Sequence, residues 1–158
     1  MNENNLEKII NNIVGDAIVK EVMSLKLAVK LIETVEEKAA EMGLAVVVAV
    51  SDASGRPIAV HCMDGAYHGS FDVAVNKTYT STAFQMSTAK LSRLCQPGQD
   101  LYGLQFSNNG KVMILGGGEP LMVGKTMIGA LGVSGGSAQE DSDLAAYGAS
   151  ALKEVIKC

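Results

Sequence analysis

Residues 44–51, LAVVVAVS, followed by DASGRP at 52–57 and IAVHCM at 58–63, decide the fold. The first run is apolar and β-branched on both faces, which predicts a central strand covered on both sides. The Ser, Gly and Pro of the middle run are turn residues, and the third run alternates as a second strand, so residues 44–63 are expected to form a β-hairpin.

On the amino-terminal side, Ser24 stands as a helix cap ahead of Ala28, Leu31, Ile32, Val35, Ala39 and Met42, an apolar stripe at helical spacing that ends at Gly43. The run Glu36, Glu37 and Lys38 on this helix reads as a solvated face. On the carboxyl-terminal side, residues 70–94 lack β-branched alternation and predict helices with a break near Met86, Ser87 and Thr88. Residues 97–103, PGQDLYG, read as loop. LQFS, Asn108-Asn109-Gly110 and KVMIL predict a second hairpin, because Asn-Gly is a strong turn signal. GGGEP at 116–120 and Gly124-Lys125-Thr126 predict turns around a short strand, LMV, and MIGALGVSG at 127–135 predicts another. Asp141 or Ser142 is expected to cap a last helix carrying Leu144, Ala151, Leu152, Val155 and Ile156. Strands joined by hairpins with helices between them imply an α+β domain around an antiparallel sheet.

Residues 1–22, MNENNLEKIINNIVGDAIVKEV, form a separate unit. Leu6, Ile9, Ile10, Ile13, Val14, Ala17 and Ile18 fall at steps of three and four, which predicts an amphipathic helix. So short a helix is marginal alone and must dock on something. Its acidic residues argue against both a secretory signal and a membrane-surface helix. A helix packed on its own domain or on a sister subunit, and a targeting tag for an external partner, remain as readings.

The 158 residues suit one domain, 23–158, plus this appendage. A net charge of −4 and the absence of Trp offer nothing to a nucleic-acid backbone or a base stack. No stretch is long and apolar enough to span a bilayer. Cys62, Cys95 and Cys158 are odd in number and lack CxxC spacing, which predicts free thiols in a cytoplasm rather than a disulfide framework or a zinc site.

Phosphate-loop, dinucleotide-binding and hydrolase patterns all fail. Gly124-Lys125-Thr126 lacks the upstream glycine and the following helix of a P-loop. No GxGxxG, HExxH or Ser-His-Asp arrangement is present. The two histidines are more suggestive. Strand alternation puts Ala59, His61 and Met63 on one face, with His68 one loop away. Imidazole and thioether are axial donors to haem iron, so His61, Met63 and His68 form a candidate iron site; a hydrogen-bonded structural role for His61 is the competing reading. Lys77 lies among Thr78, Thr80, Ser81 and Thr82, and beneath the glycine loop at Gly116 and Gly117 it could hold a carboxylate or a propionate. The alternative is an exposed or snorkelling lysine.

The blocks HCMDGAYHGSFDVAVNKTYTSTAF, PGQDLYGLQFSNNGKVMILGGGEPL and IGALGVSGGSAQED together resemble the GlcG/HbpS family, and most of all its branch formed by the C-terminal domain of PduO. Cys62 stands where many members carry Arg, and Thr78 where Ala is usual. The resemblance implies a profilin-like α/β/α sandwich, homo-oligomers and haem binding, with a corrinoid as the less favoured cofactor. It does not carry adenosyltransfer, which belongs to a different domain of PduO. It also implies microcompartment-associated metabolism, which favours reading residues 1–22 as an encapsulation peptide for a shell protein. The expectation is a haem-binding accessory protein, non-hydrolytic, in the cytoplasm and in a bacterial microcompartment lumen. An enzyme or chaperone acting on a corrinoid or a small organic acid, and a structural oligomer without ligand, are the rival expectations.

Overall fold

The computed structural model describes residues 22–157, so the helix expected over 1–22 and Cys158 fall outside the described residues, Val22 apart. Helix α1 spans Leu25–Glu41, followed by strands β1, Val47–Asp52, and β2, Pro57–Cys62. Helices α2, Ser70–Phe84, and α3, Thr88–Leu94, come next. Strands β3, Gly118–Val123, and β4, Thr126–Ser134, precede helix α4, Ala138–Val155. The four strands form one antiparallel sheet in the order β2-β1-β4-β3.

The predicted central strand is central: β1 pairs with β2 on one side and β4 on the other, and Val47–Ser51 are buried throughout. One face of the sheet, with Val48, Val50, Leu121, Leu131 and Val133, packs on α1 and α4 through Leu31, Ile32, Val35, Leu144 and Leu152. Burying each such side chain stabilises the fold by about 1.5–3 kcal/mol, so this layer carries most of the hydrophobic driving force. The other face, with Val47 and Ala49, packs on α2 through Ala74. The result is the expected α+β sandwich, with helices on both faces of an antiparallel sheet.

The two faces are built differently. Helix α2 buries Ser70, Ala74, Lys77, Thr78, Thr80, Ser81 and Thr82 and almost no large apolar side chain. Threonine hydroxyls can be buried here because each donates within the helix or to its rim: Thr78 to the Val75 carbonyl at 2.8 Å, Thr80 to Asn76 at 2.7 Å and Thr82 to Tyr79 at 2.9 Å. Small side chains also let the helix lie close to the sheet. A Cβ at Gly132 would strike the Ala74 carbonyl, so glycine is required there by contact.

Helix α1 takes its cap from Ser24, whose hydroxyl accepts the Leu27 N–H at 3.2 Å. The break after α2 falls where expected: Gln85 adopts a positive φ of 53°, and Ser87 caps α3. In the β1–β2 turn the Asp52 carboxylate accepts from the Ser54 and Arg56 N–H groups at 2.9 and 3.0 Å. Burial pushes this carboxyl up, but the bond from the Ser54 hydroxyl, the two N–H bonds and the Arg56 charge outweigh it and hold Asp52 below its ordinary value.

Three expectations are corrected. The second hairpin does not form: Leu104–Phe106 and Asn108–Gly110 are single helical turns, and 111–115 pair with no strand. Asn108, Asn109 and Gly110 all have positive φ, one residue more than a two-residue hairpin turn accommodates. The chain beyond them is instead tied to α2, the Thr80 hydroxyl accepting the Met113 N–H at 2.8 Å. Strand β3 starts at Gly118, so Glu119 and Pro120 belong to an edge strand and not to a turn. Helix α4 is capped by Ser137, because Ser137 and Glu140 form a reciprocal capping box; Asp141 is thereby released for another task.

Candidate functional site

The six residues singled out in the sequence do not form one site: three meet in the interior, two share the rim at the end of β2, and His68 lies apart. Lys77, Gly116 and Gly117 meet inside the molecule. Lys77 points from α2 past the end of β4, 1% exposed, and its ammonium donates to the Val133 carbonyl at 2.6 Å and to Asp141 Oδ2 at 2.8 Å. Asp141 is as deeply buried, and its other oxygen accepts the Gly136 N–H at 2.9 Å. Neither an exposed nor a snorkelling lysine is present. Burial lowers the affinity of Lys77 for its proton, Asp141 raises it, and the balance stays below the ordinary lysine value.

The glycine loop closes over this pair. At Gly117, φ +114°, a Cβ would lie 2.7 Å from Asp141 Cβ and 2.8 Å from Lys77 Nζ. At Gly116 it would meet the Ser142 hydroxyl and the Ala138 carbonyl; at Gly118 it would meet Thr88, Ser81 and the Lys77 carbonyl. Three consecutive glycines are therefore demanded by three different walls. The Gly118 N–H donates to the Thr88 hydroxyl at 2.8 Å, and the Val133 N–H donates to the Gly117 carbonyl at 2.8 Å.

His61 and Met63 lie at the rim, at the end of β2 and on the face that carries α1. Across the sheet His61 pairs with Val48, which is fully buried, so its ring is held at the edge of the core. Its Nδ1 stands 3.3 Å from both Glu36 carboxylate oxygens, the two side chains being 36% and 24% exposed. Among the described residues the side-chain hydrogen bonds of His61 run through Nδ1, and Nε2 has no partner among them. Met63 is half-buried against the main core, and Cys62 is exposed. His68 lies exposed in the turn that leads into α2. Among the described residues no group of three His, Cys, Asp or Glu is placed to hold a bare metal ion.

Sequence reasoning missed two residues that complete these groups. Asp141 read as a helix cap and Glu36 as part of a solvated run. Helical periodicity alone places Glu36 beside Ile32 and Val35 at the border of the buried stripe, but only the pairing of β2 with β1 brings His61 to it. Asp141 is 64 residues from Lys77 and left no local signal.

The donor chemistry at the rim fits haem iron: an imidazole with one nitrogen unpartnered among the described residues, and a thioether two residues on along the same face. The interior group offers a cation, but one already bonded to a carboxylate and a carbonyl. Among the described residues no helix is long and apolar enough to cross a membrane.

Residues 23–150 match the family model described as haem degrading protein HbpS-like. The chain is 39% identical over 123 residues to an uncharacterized 15.0 kDa protein encoded in the dhaT-dhaS intergenic region of Citrobacter freundii, covering 78% of this chain and 87% of that one. It is 39% identical over 109 residues to the corrinoid adenosyltransferase PduO of Salmonella typhimurium, covering 69% of this chain but 32% of that enzyme, about a third of its length. The crystal structure of a PduOC:heme complex superposes with a TM-score of 0.78 at 35% identity, over 82% of this chain and 94% of that one.

Proposed function

The chain belongs to the HbpS-like family, and from that premise we propose that it is a haem-binding accessory protein with His61 as an axial ligand. The observation that carries the reading is the state of His61: one ring nitrogen faces Glu36, the other has no hydrogen-bond partner among the described residues, and the ring is partly exposed at the rim. The similarity to a domain solved as a haem complex supports the same choice of cofactor. Bound haem would supply a redox-active iron; the chain's residues would hold that iron and orient it. His61 supplies the donor, and Met63 or His68, the other two donors singled out in the sequence, supplies the second. Lys77, Gly116 and Gly117 keep the frame between α2, β4 and α4 rigid, without touching the ligand.

The wider setting rests on the resemblance of the sequence to the PduO branch. Residues 1–22 act as a tag that brings the domain to a shell protein of a bacterial microcompartment, and the domain works as a homo-oligomer in that lumen. A helix laid in an apolar groove through Leu6, Ile9, Ile10 and Ile13 is the contact this stripe would make.

Titration with haemin, followed by the Soret band, tests the cofactor. A saturating shift that changes position in His61→Ala is the expected result, whereas a shift that never saturates, or saturation by cobalamin alone, rejects haem. Residues 1–22 fused to a fluorescent protein should concentrate in co-expressed shells, and the Ile9→Asp/Ile13→Asp fusion should not. Diffuse fluorescence from both would return the segment to a helix packed on its own oligomer.

A further inference from the structure

Helix α1 carries the run Glu36, Glu37 and Lys38, but Glu36 differs from its neighbour Glu37. It is only partly exposed, and both of its oxygens are 3.3 Å from His61 Nδ1 on β2. We propose that Glu36 is the positioning residue of His61, fixing the imidazole in the tautomer whose Nε2 lone pair faces outward to the iron. The inference rests on the reading of His61 as a haem ligand and adds to it the group that prepares the ligand.

The chemistry is that of a single proton. A neutral imidazole carries one N–H, and a carboxylate can only accept, so the nitrogen beside Glu36 holds the hydrogen and the other is left as a bare Lewis base. Hydrogen bonding of this kind also fixes the orientation of the ring. The structure sets the pair by packing. On the helix, Glu36 follows Val35 and lies one turn from Ile32, both fully buried; on the strand, His61 lies opposite Val48, also fully buried. Neither partner is on a loop, so the backbone under each is held by the core. Symmetric approach to both carboxylate oxygens is what a fixed ring plane facing a fixed carboxylate produces.

The test compares wild-type protein with Glu36→Ala, Glu36→Gln and His61→Ala. Long-range proton–nitrogen NMR of the haem-free protein should show His61 of the wild type protonated at Nδ1, and a mixture of tautomers in Glu36→Ala. Haemin affinity should fall about 10–100-fold in Glu36→Ala, with the Soret band displaced toward that of His61→Ala. Glu36→Gln, which keeps an oxygen acceptor and loses the charge, should fall between and guards against failure of the alanine variant to fold. Unchanged tautomer and affinity in the Glu36 variants, alongside a displaced Soret band in His61→Ala, would overturn the proposal and leave the ligand standing. An unchanged spectrum in His61→Ala would overturn the ligand assignment and the proposal with it.

Discussion

Replacing Asp141 by Ala should be among the most damaging single changes in this domain. The Lys77 ammonium is 1% exposed and has two partners, Asp141 Oδ2 at 2.8 Å and the Val133 carbonyl at 2.6 Å. Removing the carboxylate leaves a buried cation with one neutral acceptor and deprives the Gly136 N–H of its partner. Removing one member of a buried pair costs about 3–5 kcal/mol, a large part of a total stability of about 5–15 kcal/mol. At roughly 3–5 °C per kcal/mol for a domain of this size, the melting temperature should fall by roughly 9–25 °C. The informative control is the double replacement Lys77→Met/Asp141→Leu, which removes both charges and should recover most of the loss. Thermal melts by circular dichroism measure both. A shift under about 3 °C for Asp141→Ala, or a double variant no more stable than the single one, would refute the reasoning. The pair also has a pH signature. Burial holds Lys77 below 10.5 in the folded protein, so between that lowered value and 10.5 the unfolded chain binds more protons. Stability contributed by this site therefore rises with pH across that window, and the rise should be absent from the double variant.

Glu119 lies half-buried on the edge strand β3, and burial raises its carboxyl above 4.5. The folded protein then keeps a proton that the unfolded chain has lost, so stability present below 4.5 declines as pH rises through the folded value; Glu119→Gln should raise the urea midpoint at neutral pH and leave it unchanged below 4.5. Gly117→Ala should destabilise by about 1–3 kcal/mol, because its Cβ would press on Asp141 and Lys77 while the backbone holds φ at +114°. Equal urea midpoints for wild type and Gly117→Ala would show that the loop yields instead.

The parts of this fold legible in the sequence are those whose signal is local and repeated. An unbroken β-branched run can only be a strand covered on both faces, and Ser24 before an apolar stripe can only sensibly open a helix, so β1 and α1 were readable. The second hairpin was not, because Asn109-Gly110 carries its turn signal whether or not flanking strands exist, and Thr80 competes for the chain through Met113. The start of α4 was misplaced because Asp141 has the chemistry of a cap, and only the reciprocal bonds of Ser137 and Glu140 show that the cap is already made. Of the candidate site, His61 and Lys77 were visible as residue types. Their partners were not, since Glu36 and Asp141 reach them across 25 and 64 residues of chain.

What distinguishes the two groups is depth, and depth assigns their roles. Each is a base beside a carboxylate, Lys77 with Asp141 and His61 with Glu36. The first pair is 1% and 5% exposed, the second 36% and 24%. A buried pair cannot exchange a partner without stranding a charge, so it locks elements together, here α2, β4 and the first turn of α4. A rim pair gains little from its own contact, about 0–1 kcal/mol, and so costs the fold little when it engages a ligand. On the proposed reading stability and binding occupy different sites, and a substitution at Lys77 should lower the melting temperature while leaving the haem spectrum of the folded fraction unchanged. A spectral change in folded Lys77→Met protein would place the lysine at the ligand after all and return its role to that of a propionate anchor.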